Sequence, residues 1–152
     1  MHIVNVFSDC DGGVKRFIEA LNQSLLRFYS DITIYNYVVS IDKNEIIMEH
    51  GVRNYIYVFR RKGNIIDVDK SLLSDCYISD VSNDFEKFID RVKPNIVNFH
   101  HLDGVGVSLI GSTKERGIST IFTVHDYWCI CPRLFLLDRN YNLCNGPNLG
   151  IS

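Results

Sequence analysis

Two dipeptides in the second half of the chain carry the residue types best suited to chemistry, His100-His101 and His125-Asp126. Imidazole titrates near neutral pH and can donate or accept a hydrogen bond, which suits proton transfer and recognition of hydroxyl groups alike. A carboxylate beside an imidazole can fix the ring's orientation or bind a sugar hydroxyl, so His125 with Asp126 is the favoured pair. A lone histidine at a strand end is more often structural, but two strand ends delivering histidine to one edge shift that balance. Gly12-Gly13 is the third position of interest. Backbone N–H groups that open a helix there lack intrahelical partners and lie at the positive end of the dipole, which favours an anion such as a diphosphate. Two glycines keep Cβ atoms out of the approach, although a plain tight turn accounts for the same residues. Asp9 and Asp11 oppose an anion there unless they point away, and Lys15 and Arg16 partly offset them.

Other chemistries find less support. No serine or cysteine stands in a G-x-S-x-G context, which leaves acyl transfer without a nucleophile elbow. Gly104-Val105-Gly106-Val107-Ser108-Leu109 is a candidate dinucleotide fingerprint, but Leu109 occupies the place where a small residue is required. A dinucleotide-binding domain of an oxidoreductase, cradling a pyrophosphate on Gly104 and Gly106, stays open as an alternative, as does a non-catalytic module. Cys129, Cys131 and Cys144 amount to three thiolates, one short of the usual zinc set and wrongly spaced at the start. Five cysteines is an odd total, and reduced thiols in a reducing compartment are the plainer reading.

For these residues to meet, the chain must bring them to one edge of a sheet. Residues 3–7 form an apolar strand-length run, after which Val14, Phe17, Ile18, Leu21, Leu25 and Phe28 recur at helical spacing. Residues 32–39 are β-branched and aromatic and predict a second strand. Residues 55–60 and 65–68 predict two strands across a Lys62-Gly63-Asn64 turn, as a hairpin or excursion. Asn83 with Glu86 resembles a capping box that opens a helix, with Phe85, Phe88, Ile89 and Val92 as its buried stripe and Pro94 as its stop. Residues 95–99 are the next strand, a helix from about Gly104 to Arg116 follows with Gly117 closing it, and residues 119–124 are the last strand. Beyond Tyr127 no period is sustained. This alternation predicts an α/β fold, a Rossmann-like, mostly parallel sheet with helices on both faces. Right-handed crossovers then put the carboxyl ends of the strands on one edge, where such sheets bind ligands. Gly12-Gly13, His100-His101 and His125-Asp126 all fall at that edge.

Composition narrows the classes. The 152 residues are 46% hydrophobic and 22% charged, as in a globular domain. Sixteen basic residues against eighteen acidic ones leave a formal charge of −2 with no basic run longer than three residues, so there is no electrostatic footprint for nucleic acid. No apolar stretch approaches the roughly 18 residues of a membrane span. The N-terminus lacks the basic start and apolar core of a signal peptide, so a cytoplasmic location is expected. The single alanine, Ala20, beside many Ile, Asn and Tyr residues, is taken as compositional bias without functional content.

Three stretches together resemble the N-terminal domain of glycosyltransferase family 4, the retaining GT-B enzymes. They are residues 3–7 with Gly12-Gly13-Val14-Lys15-Arg16-Phe17, residues 93–101 ending in Asn98-Phe99-His100-His101, and residues 117–128 ending in Val124-His125-Asp126-Tyr127-Trp128. The last, continued by Cys129-Ile130-Cys131-Pro132-Arg133 and Cys144-Asn145-Gly146-Pro147, is similar to a subgroup from bacterial surface-polysaccharide gene clusters. The resemblance implies transfer of a sugar from a nucleotide-diphosphate donor to a glycan or lipid-linked acceptor. It implies two Rossmann-like domains around a cleft, with residues 1–152 as an incomplete N-terminal, acceptor-side domain and the donor-holding domain outside this chain. Carried over by position, Gly12, Gly13 and Arg16 approach the donor diphosphate, His125 and Asp126 stand at the reacting centre, and His100 and His101 shape the acceptor side. No cofactor is implied, and no metal site within this chain. Cys131 and Cys144 become part of a zinc site only where a longer parent supplies a further cysteine pair. The family's paired glutamates have no counterpart here, and Asn98 stands where the family often has a histidine. Peripheral attachment of the parent to the inner face of the plasma membrane is implied by such relatives. Lys15, Arg16, Arg60, Arg61 and Lys62 are the local basic clusters, for which a solvated charged face is the plainer reading.

Overall fold

From Ile3 to Ser8 the first strand is buried at every position, so both of its faces are covered, as in the centre of a parallel sheet. The structure is a computed structural model and describes residues 1–9, 12–40, 53–60, 78–127, 130, 136–137 and 140–143. Its elements run β1 (His2–Ser8), α1 (Gly13–Phe28), β2 (Thr33–Ser40), β3 (Asn54–Arg60), α2 (Ser79–Val92), β4 (Ile96–Phe99), α3 (Ser108–Glu115) and β5 (Ser119–Phe122). The five strands are parallel throughout, in the order β3-β2-β1-β4-β5. The α/β, Rossmann-like expectation holds. The order reverses between β1 and β4: successive strands step outward from β1 to β3, and β4 then returns to the other flank of β1.

Strand alternation divides the core into two layers. On one face Val4, Val6, Tyr37, Val39, Val97 and Phe99 meet Val81, Phe85, Phe88 and Ile89 of α2 and Leu109 of α3. On the other, Ile3 and Ile34 meet Leu25 of α1, and Phe7 and Val38 meet Ile18. Helices therefore cover both faces. No helix among the described residues is long and apolar enough to cross a membrane.

Several local expectations change. Asn83 does not begin α2, which starts at Ser79 with Ile78 as N-cap and no side-chain cap hydrogen bond. Burial of Ile78 and Val81 against the sheet draws the helix back by a turn, overriding the capping-box pattern. Glu86, freed from that role, accepts a hydrogen bond from Ser112 Oγ at 2.9 Å and pairs with Arg116 at 3.5 Å, tying α2 to α3. The third helix starts at Ser108 rather than Gly104, because Gly104 and Gly106 take positive φ (69° and 97°) in the turn before it. Gly117, at φ 68°, closes that helix, its N–H donating to the Lys114 carbonyl. The stretch read as the first arm of a hairpin is β3, the outermost strand of the main sheet and parallel to β2; its expected partner at 65–68 lies outside the described residues.

A carboxylate fastens the outer strands to α2. Tyr37 and Tyr57 stack with ring centroids 5.4 Å apart, and both hydroxyls donate to Asp84, at 2.8 and 2.9 Å. Burial, with Asp84 second, pushes the Tyr37 phenol far above its ordinary value and keeps it a donor. Replacing Asp84 with alanine leaves two hydroxyls without their acceptor, one of them fully buried, and is expected to cost about 2–3 kcal/mol. Chemical denaturation of Asp84→Ala measures this; stability equal to the parent contradicts it.

Candidate functional site

The ends of β1, β4 and β5 meet where the strand order reverses, and the sheet ladder continues past the last strand residues. The His100 N–H donates to the Val6 carbonyl at 2.9 Å, and the Thr123 N–H to the Phe99 carbonyl at 2.8 Å. Side-chain alternation carried past the strand ends sends one residue of each dipeptide to each face. His100 and His125 share the α1 face, with His100 Nδ1 3.0 Å from His125 Nε2 and the rings stacked at 28°. Phe17 of α1 packs edge-on against His125, with centroids 5.1 Å apart. By the same alternation His101 and Asp126 turn toward the other face, beside Ser8. There His101 Nε2 is 3.3 Å from Asp126 Oδ2, and Ser8 Oγ is 2.8 Å from His101 Nδ1. With the carboxylate accepting from Nε2–H, Nδ1 of His101 accepts from the serine hydroxyl. This contact laces β1, β4 and the segment after β5 together at the reversal point.

The four histidine-and-carboxylate residues singled out by sequence are thus brought together, but in crossed pairs. Asp126 meets His101 across the strands, whereas the orientation of His125 is set by His100. His100 is 2% exposed and has both ring nitrogens in hydrogen bonds, so it supports His125 from beneath instead of facing an acceptor. His125 and Asp126 are half-buried, as is His101. Burial lowers the His125 pKa, the Asp126 carboxylate opposes that shift, and His101 adds to it.

The glycine pair borders this cluster. Gly12 adopts φ 142°, ψ −152°, a backbone geometry reserved for glycine, and is the N-cap of α1 without any side-chain cap hydrogen bond. Among the described residues, no atom lies within 4 Å of where a Cβ on Gly12 or Gly13 would stand. The first turn of α1 holds no acidic residue. Arg16 in that turn is exposed and forms no ion pair among the described residues, and Phe17 follows it toward His125. Asp9, on the β2 flank of β1, accepts from Ser40 Oγ at 3.5 Å; Asp11 lies outside the described residues. The other glycine pair offers less. Gly104 and Gly106 are buried, and the N–H groups of Val105 and Gly106 are both engaged by the Leu102 carbonyl.

Sequence reasoning missed what lies beneath His100. Asn36, Asn5 and Asn98 occupy one register row across β2, β1 and β4, all facing α1 and all buried. Asn5 Nδ2 donates to Asn22 Oδ1 of α1 at 2.9 Å and to Asn36 Oδ1 at 3.3 Å. Asn22 Nδ2 donates to Asn36 Oδ1 at 2.9 Å, and Asn36 Nδ2 to Asn54 Oδ1 at 2.8 Å. His100 Nε2 is 3.1 Å from Asn5 Oδ1, and Asn98 Oδ1 accepts from Thr123 Oγ1 at 2.9 Å. The signal present in the sequence was asparagine at the middle of three apolar strands, which the compositional reading set aside. A groove of about 470 Å³ runs between α1 and the outer strands, lined by Asn22, Asn36, Val38, Asn54, Ile56 and Val58 among others, and none of the site histidines lines it.

Cys129, Cys131 and Cys144 lie outside the described residues, as do the other two cysteines. No group of three or more His, Cys, Asp or Glu side chains among the described residues is arranged to hold a metal ion. Comparisons of the chain with protein-family models, with curated proteins and with solved structures find no match.

Burial, with His125 second, pushes the His100 pKa down to about 4 from 6.5. The unfolded chain gains that proton near pH 6.5, the folded protein only near pH 4. Stability from this group is therefore full above the upper value, falls as pH drops through the window and levels off below the lower one. The total loss approaches about 3 kcal/mol. Denaturation at a series of pH values with NMR titration of His100 checks this; a His100 that titrates near its ordinary value contradicts it.

Proposed function

We propose that the chain is the acceptor-side part of a retaining glycosyltransferase that moves a sugar from a nucleotide-diphosphate donor to a glycan or lipid-linked acceptor in the synthesis of cell-surface polysaccharide. The observation that carries this reading is the meeting of His125, Asp126 and His101 at the reversal point of a doubly wound sheet, beside the uncapped N-terminus of α1. That is where open parallel sheets receive ligands. The two halves of the site suit the two halves of a nucleotide sugar. The helix-opening N–H groups at Gly12-Gly13 and the Arg16 guanidinium suit a departing diphosphate, whose charge must be stabilised as the glycosidic bond breaks. The imidazole of His125 and the carboxylate of Asp126 suit hydroxyl groups. Beyond the fold and this geometry, the reading rests on the sequence resemblance, which also supplies the cytoplasmic, membrane-peripheral setting of the parent.

The oxidoreductase alternative is disfavoured by the Gly104–Gly106 turn, whose N–H groups bond inward and whose glycines are buried. In the glycosyltransferase reading a second domain grips the nucleotide, so the 152-residue chain is expected to bind a nucleotide sugar weakly and to transfer nothing alone. NMR titration of the labelled chain with UDP- and GDP-sugars, with NAD as control, tests the assignment. Shifts at Gly12, Gly13, Arg16, His125 and Asp126 with a nucleotide sugar support it. Shifts around Gly106 with NAD, or sugar transfer by the chain alone, contradict it.

A further inference from the structure

The amide side chains under α1 have a direction, and one backbone carbonyl sets it. Asn36 Nδ2 lies 3.2 Å from the Tyr55 carbonyl oxygen of β3. A carbonyl only accepts, so the nitrogen of the Asn36 amide faces β3 and its oxygen faces β1. That oxygen accepts from Asn5 Nδ2 and Asn22 Nδ2. With its nitrogen turned to β2 and α1, Asn5 turns its oxygen to β4, where His100 Nε2 waits at 3.1 Å. An amide oxygen cannot donate, so His100 carries its proton on Nε2. In the neutral ring Nδ1 is then bare and must accept, and the atom facing it is His125 Nε2 at 3.0 Å.

We infer that Asn36, Asn5 and His100 are positioning residues that hold neutral His125 in its Nε2–H tautomer, leaving Nδ1 as a lone-pair acceptor for a ligand hydroxyl. Burial of His100 supports this, since a charged ring would reverse the last link: Nδ1–H would donate to His125 Nε2 and move the His125 proton to Nδ1. Nδ1 of His125 has no hydrogen-bond partner among the described residues, and Phe17 packs against the ring without offering one. A bare imidazole nitrogen attracts O–H donors and gives nothing to the diphosphate of a nucleotide sugar, whose oxygens are ionised and only accept at neutral pH. Resting on the glycosyltransferase reading, this assigns His125 to a hydroxyl of the sugar and leaves the diphosphate to the Gly12-Gly13 end of the cleft.

The tautomer can be read without any ligand, so its failure is distinguishable from failure of the functional reading. Long-range proton–nitrogen correlation spectra of the ¹⁵N-histidine-labelled chain at neutral pH should show His100 and His125 both neutral and both protonated at Nε2. A His125 protonated at Nδ1, or charged at neutral pH, overturns the inference. Titration with inorganic sulfate, a tetrahedral anion without an O–H at neutral pH, should leave the His125 ring signals in place; sulfate that protonates Nδ1 also overturns it. In Asn5→Asp the carboxylate stabilises a charged His100, and His125 should switch to the Nδ1–H form in a protein that keeps native amide dispersion. Retention of Nε2–H on His125 beside a charged His100 counts against the relay. Should that variant not fold, the wild-type spectrum decides the matter by itself. Asn54→Ala is the complementary control, expected to leave the tautomer unchanged because the Tyr55 carbonyl still orients Asn36.

Discussion

Buried amides between α1 and the sheet must satisfy one another, and much of the molecule follows from that requirement. An unpaired buried amide costs about 1–3 kcal/mol by mutational measures, and Asn5, Asn22 and Asn36 are each no more than 4% exposed. Their mutual pairing is met only when β2 and β1 lie in the register that sets Asn36 beside Asn5, and Asn98 of β4 falls in the same row. A slip of one residue would turn an entire strand face over and strand the amides among the aromatic side chains of the α2 layer. Asn22 adds the helix to the same arrangement, fixing α1 over the sheet. Apolar packing supplies the bulk of the burial on both faces; the asparagines select one arrangement of it.

The same row connects scaffold to site. It begins at an outer-strand carbonyl, crosses β2 and β1, and ends on an imidazole at the edge where ligands enter such sheets. His100 is the hinge of this connection, buried on one side by the amides and bonded on the other to half-exposed His125. On the opposite face the Ser8, His101 and Asp126 contacts close the reversal point between the two halves of the sheet. The two dipeptides therefore act as two cross-strand pairs, one anchored in the polar row beneath α1 and one stitching β1 to β4. A site built this way places its exposed groups on backbone already fixed by the sheet ladder, with α1 contributing Phe17 as a wall and its N-terminus as a polar rim.

Much of this was legible in the sequence because it depends on local periodicity. Apolar strand-length runs, the stripe through Ile18 and Leu25, and glycine at position 117 each act within a few residues, and the structure keeps them. Boundaries decided by distant packing were not legible. The start of α2 belongs to Ser79 because Ile78 and Val81 find the sheet, which no cap pattern around Asn83 could reveal. The edge location of the histidines followed from alternating strands and helices, but the crossing of the pairs did not. Adjacent His125 and Asp126 suggest that the carboxylate orients its neighbour, whereas strand alternation turns them to different faces. The asparagine row was hidden for a related reason: Asn5, Asn36 and Asn98 are dozens of residues apart, and only strand order and register make them neighbours.

The central claim is that these amides are a buried, mutually hydrogen-bonded array and not a set of solvated polar side chains. Hydrogen exchange of the side-chain NH₂ groups of Asn5, Asn22 and Asn36, followed by NMR alongside the backbone amides of β1, tests it most directly. The account predicts that these protons exchange only as slowly as the central strand itself, through opening of the whole sheet. Exchange at the rate of exposed asparagine side chains, while the β1 backbone stays protected, would contradict it.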